Sequence, residues 1–188
     1  MSPTLNLSDE TTVKGYVNNT KAELNIKSVT TDLTLKFPAF LTNFSQTFDA
    51  TWNTEEVFGR MDPIATYQGT KRTMSLAFDF PAGTLESAKN NLKGCSYLVR
   101  MVYPVYNSQN ILVKPPLVRV TFGNLIKGNN NGGLLGWISG LSWNPNLEMG
   151  MFTEDKNFFP KVIALSFSFN ILHEFTPNQN KENFPFGE

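Results

Sequence analysis

Three kinds of feature in this chain have the residue types that chemistry needs: paired carboxylates, a lone histidine beside a glutamate, and a glycine-rich run. Glu55-Glu56 and Glu154-Asp155 would act as glycosidase-like acid and base only if the setting raised one carboxyl pKa. Both pairs lie in polar, turn-like sequence with nothing nearby to do so, and solvated faces are expected. His173-Glu174 is the nearest approach to a metal or acid–base pair. Adjacent residues of a strand point to opposite faces, however, and no second histidine exists to complete a usual zinc shell, so His173 is expected to be exposed or capping. Gly128 and Gly133 have the four-residue separation of a P-loop, but Leu134 and Leu135 stand where Lys and Ser/Thr must be. The serines lack a G-x-S-x-G context. The expectation is a protein that is not an enzyme, with no catalytic, cofactor-binding or metal-ligating residues.

Composition points to a different kind of role. Sixteen basic and sixteen acidic residues cancel, which disfavours binding nucleic acid through its phosphates. Sixteen phenylalanines accompany a charged fraction of only 17%, a combination suited to a surface largely covered by neighbouring subunits. The single cysteine, Cys95, excludes an intramolecular disulfide framework, fits a reducing compartment and reads as a small buried apolar group. The opening MSPTLNLSDE lacks the basic-then-apolar pattern of a signal peptide, and no apolar run approaches the roughly 20 residues that span a bilayer. Synthesis in the cytoplasm without membrane attachment is expected.

The elements that would position these residues are mostly strands. Period-two alternation marks Gln46–Trp52, Arg72–Phe80, Val118–Phe122, Trp137–Trp143 and Ile163–Leu172. In the second of these, Met74, Leu76, Phe78 and Phe80 oppose Thr73, Ser75, Ala77 and Asp79. In the last, Ile163, Leu165, Phe167, Phe169 and Ile171 oppose Ala164, Ser166, Ser168, Asn170 and Leu172. In the fourth, Trp137, Leu141 and Trp143 are assigned to one face and Ile138, Gly140 and Ser142 to the other. The helix signal is Thr84–Leu92, with Thr84 as N-cap, a stripe of Leu85, Ala88 and Leu92, and Gly94 as the C-terminal stop, giving two to three turns. Prolines punctuate the strand ends. The expected fold is mainly β, two packed antiparallel sheets with one flanking α-helix. Residues 1–30 are read as an arm or edge hairpin with a turn at 17–20, residues 31–176 as the β domain and 177–188 as a tail.

One stretch adds a resemblance. Trp52, the run Val57-Phe58-Gly59-Arg60-Met61-Asp62-Pro63-Ile64, Tyr67 and Arg72 precede the helix. Tyr103-Pro104-Val105-Tyr106 and Lys114-Pro115-Pro116 follow it. Over roughly residues 45–145 this order resembles the tail-tube-like baseplate proteins of contractile-tailed bacteriophages, of the tube-initiator or tube-cap type. The resemblance implies a barrel-like sandwich with a helix on one side, and a virion protein forming a ring of the inner tail tube. Such a ring would link the baseplate hub to the tail tube, nucleate tube assembly and leave a central channel for passing DNA. It further implies a homo-hexamer or mixed hexameric ring whose neighbours are the tail tube protein, the hub and the tape measure protein. On this reading Trp52, Phe58, Arg60, Asp62, Tyr67 and Arg72 form a contact between subunits or rings. Thr73, Ser75, Asp79, Ser166, Ser168 and Asn170 are then candidates to line the lumen, because small polar groups and carboxylates hold DNA less than Lys or Arg would. The competing expectation is a monomeric β-sandwich that binds a carbohydrate or peptide.

Overall fold

The computed structural model describes residues 4–6, 23–38, 40–109, 111–123, 125–128, 132–174 and 176–177. The expected turn at 17–20, most of the expected N-terminal arm and the tail beyond 177 lie outside the described residues. In chain order the elements are β1 (Thr4–Asn6), β2 (Glu23–Ser28), β3 (Thr34–Pro38), β4 (Phe40–Glu55), β5 (Ile64–Pro81) and α1 (Leu85–Met101). They continue with β6 (Val105–Tyr106), β7 (Leu112–Lys114), β8 (Val118–Phe122), β9 (Leu134–Pro145), β10 (Met151–Glu154), β11 (Asn157–Pro160) and β12 (Val162–Ile171). The protein is mainly β with a flanking helix, as the alternation implies.

An eight-stranded sheet runs in the order β1-β3-β2-β8-β9-β12-β5-β4. The pairs are antiparallel except for β1 with β3, and β6–β7 and β10–β11 form small separate ribbons. The two packed layers expected from the sequence are the two halves of this one sheet. Four strands lie between β3 and β5, so on a flat sheet they would stand roughly 24 Å apart at about 4.8 Å per step. Yet the Phe37 and Phe80 rings meet at 4.9 Å and those of Phe78 and Phe122 at 6.2 Å. The sheet therefore curls over, and its inner face supplies the core: Leu24, Ile26, Leu35, Phe37, Met74, Leu76, Phe78, Phe80, Val118, Val120 and the inward set of β12. Burying each such side chain is worth about 1.5–3 kcal/mol, enough to set the register of every strand that carries one.

Residues 23–28, within the stretch read as an arm or edge hairpin, form an interior strand of the sheet between β3 and β8. Leu24 and Ile26 are completely buried there. Their short apolar alternation within a polar stretch hides the strand from inspection of the sequence.

The Thr84 side chain accepts a hydrogen bond from the Ser87 N–H at 3.2 Å and caps α1 as expected. The helix does not stop at Gly94. It runs to Met101 because Cys95, Leu98 and Met101 prolong the buried stripe begun by Ala88 and Asn91. Their burial outweighs the roughly 1 kcal/mol that a mid-helix glycine costs. Cys95 is buried, and burial pushes its thiol pKa up to about 12.

The faces of β9 also differ from the sequence reading. A bulge at Gly140, where φ is +61°, adds a residue opposite Ser166–Ser168 and changes the phase of the strand. Ile138 consequently enters the core, while Trp137 sits across from Asn170 on the outer face. Leu141 packs against the core beyond the bulge. Gly128 and Gly133 do occupy a tight neck between β8 and β9. A side chain at 128 would run into the Gly133 carbonyl, so the pair serves chain packing.

Candidate assembly surfaces

β4 and β5 pair from Phe40↔Asp79 to Glu55↔Ile64, far longer than the rest of the sheet can cover. The inner half of β5 alternates buried with half-buried residues and that of β4 mixes half-buried with exposed ones, but residues 47–68 are exposed on both faces. This distal hairpin is an arm. It carries Phe48, Trp52, Val57, Phe58, Met61, Ile64 and Tyr67 into solvent, with Phe58 106% and Met61 99% exposed. Trp52 and Tyr67 meet edge-to-face with centroids 5.3 Å apart, and the Tyr67 and Thr70 hydroxyls hydrogen-bond at 2.6 Å. These contacts stiffen the ribbon without hiding its apolar surface. The alternation in Gln46–Trp52 implies a half-buried strand; the strand forms, but from residue 47 to 68 the described residues supply no cover.

Of the six expected contact residues, the arm collects Trp52, Phe58, Arg60, Asp62 and Tyr67. Arg72 departs from them. It is 2% exposed, on the core side of β5 in phase with Met74, and so is an internal residue. Its Nε and Nη2 donate to Gln46 Oε1 at 3.1 and 2.7 Å, and its guanidinium lies 5.3 Å from the centre of the Phe48 ring. Desolvation lowers its pKa to about 10, leaving it charged at neutral pH. Arg72 thus anchors the root of the arm. The sequence signal was available, since Arg72 continues the Met74–Leu76–Phe78 phase.

The six lumen candidates share one surface. Thr73 stands across from Asn170, Ser75 from Ser168, Ala77 from Ser166 and Asp79 from Ala164, all on the outer face of the curl and half-buried. Asn170 Nδ2 donates to Ser139 Oγ at 2.8 Å, and Thr73 Oγ1 to Asn170 Oδ1 at 3.4 Å. The same face continues through Asn43, Ser45 and Thr47 of β4 and Ser139, Ser142 and Asn144 of β9, which pairing alone reveals. Over these rows Asp79 is the charged group, and the arm adds Asp49 opposite Lys71.

The residues able to do chemistry are dispersed. Glu154 pairs with Lys89 of α1, and Asp155 occupies a turn at φ +46°. Glu174 takes both Arg119 Nη atoms, at 2.7 and 2.5 Å, tying the chain after β12 to β8; this hydrogen-bonded pairing holds its carboxyl below the usual range. His173 is partly buried rather than exposed. Desolvation, and then the charge of Arg72, lower its pKa. Among the described residues no group of three or more His, Cys, Asp or Glu is placed to hold a metal, and no helix is long and apolar enough to cross a membrane.

No protein-family model matches the chain, and no curated protein matches it. Among solved structures it is similar to the crystal structure of SPP1 Dit (gp 19.1), described as a paradigm of the hub adsorption apparatus in phages infecting Gram-positive bacteria. The TM-score is 0.45 at 8% identity, over 79% of this chain and 49% of that one. The chain spans about half the length of that protein, and a likeness of this degree carries no assignment of function.

Proposed function

We propose that the chain is a structural subunit of a multisubunit ring, a virion protein of the tail-tube kind its sequence resembles. Its role is to form a ring of the inner tail tube at the baseplate, join hub to tube and nucleate tube growth around a channel for DNA. The observation that carries this reading is the arm: a ribbon exposed on both faces over residues 47–68 that presents Trp52, Phe58, Met61 and Tyr67. Apolar side chains concentrated on a projecting element mark a contact surface, whereas scattered ones do not. The outer face of β4, β5, β12 and β9 suits a conduit. Between Trp137 at one end and Phe40 at the other it offers mainly hydroxyls and amides with Asp79, so phosphates passing along it meet little to bind. No step of this role needs catalysis.

Mass measurement in solution with electron microscopy tests the proposal. Rings of about six copies with a central hole are expected. A monodisperse monomer that saturates with a sugar or peptide would instead make the chain a binding module.

A further inference from the structure

The arm tip and one cleft of the same chain are complementary. Residues 54–63, TEEVFGRMDP, carry Glu55, Glu56 and Asp62 against Arg60, and they present Phe58 and Met61 with essentially no cover. At the C-terminal end of α1 lies a cleft of about 420 Å³, lined in part by Tyr97, Arg100, Met101, Tyr103, Pro104 and Val105. That volume is within the range of clefts, about 300–1,000 Å³, that enclose ligand-sized groups. The walls are mainly apolar and aromatic. The charged lining residue is Arg100, its guanidinium 5.4 Å from the centre of the Tyr97 ring, and Lys114 stands across the β6–β7 ribbon from Val105. The acidic, apolar tip therefore matches a basic, apolar cleft in both charge and character.

On the premise that the chain forms rings, we infer that the arm tip of one copy inserts Phe58 and Met61 into the Tyr97–Tyr103 cleft of the next copy, with Asp62 facing Arg100. The contact joins two different patches of one chain, so it is heterologous. Such a contact adds copies head to tail and closes into a ring when the rotation allows. An exposed aromatic seated in a pocket and rimmed by opposite charges is also the arrangement in which interface energy concentrates. β4–β5 and the α1–β6 corner would then be the two halves of one joint.

The double variant Met61→Cys/Tyr103→Cys, treated after assembly with a short bis-maleimide, tests the joint. Cys95 is buried with its thiol protonated and stays out of the reaction. The expected result is a ladder of dimer, trimer and higher species on a denaturing gel, as a head-to-tail contact requires. Intact rings that yield no ladder, dimers only, or a link within one chain would overturn the joint and leave the ring standing. A chain that stays monomeric by mass would overturn both. Charge exchange gives an independent measure. Asp62→Lys and Arg100→Glu should each lower the assembled fraction about tenfold, and the two together should restore it. Failure of the exchanged pair to recover would exclude the proposed facing of these two residues.

Discussion

Arg72 holds a charge against the core where β4 and β5 leave the body, and its arrangement explains how that is tolerated. Gln46 accepts twice from the guanidinium, and Phe48 covers it. Truncation to alanine removes the aliphatic stem as well as the donors and leaves Gln46 short of partners. Arg72→Ala is expected to cost about 2–3 kcal/mol. Arg72→Met, which keeps the stem, should cost less, and urea unfolding of the two variants checks the order. His173 gives a pH signature. Its folded-state pKa is lowered, so the unfolded chain binds its proton more tightly and stability falls on acidification through and below the ordinary histidine range. His173→Gln should flatten that part of the profile. Glu174, also lowered, contributes a further loss nearer the ordinary carboxylate pKa, and Glu174→Gln should remove it.

Two elements decide what the chain presents to others. The arm is long because β4 and β5 go on pairing after the core ends, so its stability rests on backbone hydrogen bonds and on cross-strand contacts such as Trp52 with Tyr67. Replacing Phe58 and Arg60 together with alanine should leave thermal unfolding of the subunit unchanged while rings fail to form. Normal assembly of that variant, seen by electron microscopy, would reduce the segment to a structural turn. In β9 the Gly140 bulge sets which aromatic faces which way, and its φ of +61° excludes branched side chains. Gly140→Val is expected to cost about 1–2 kcal/mol, and Gly140→Asn less, because Asn tolerates the left-handed region. The comparison of unfolding midpoints separates strain from crowding, since no atom lies within 4 Å of the position a Cβ would take.

At the scale of the molecule, the curled sheet has one face that holds it together and one that is half-buried and polar. The inner face carries the phenylalanine cluster, while the outer face carries the row from Thr73 to Asn170. If that outer face lines a channel, adding cations should convert a low-affinity conduit into a binding one. Ser75→Lys with Ser166→Lys should give rings that retain DNA, with affinity falling steeply as salt rises, by about 0.7–0.9 in log K per log salt for each phosphate contacted. Rings that retain no more DNA than the parent would place the face on the outer wall.

The residue pattern by itself determined the faces of β5 within the core and of β12, and the start of the helix. Alternation in Arg72–Phe80 and Ile163–Ile171, and the Thr84 cap, are local signals: each depends on side chains a few positions apart. Tertiary structure decided what depends on partners distant in sequence. Glu23–Ser28 is a strand because β3 and β8 enclose Leu24 and Ile26. α1 passes Gly94 because the core receives Cys95, Leu98 and Met101. Trp137 is turned outward because a bulge at Gly140 inserts a residue opposite β12. The exposure of the arm has the same origin. Gln46–Trp52 has the alternation of a half-buried strand and residues 47–68 are rich in aromatic side chains, and whether such a segment is covered depends on which distant elements fold against it.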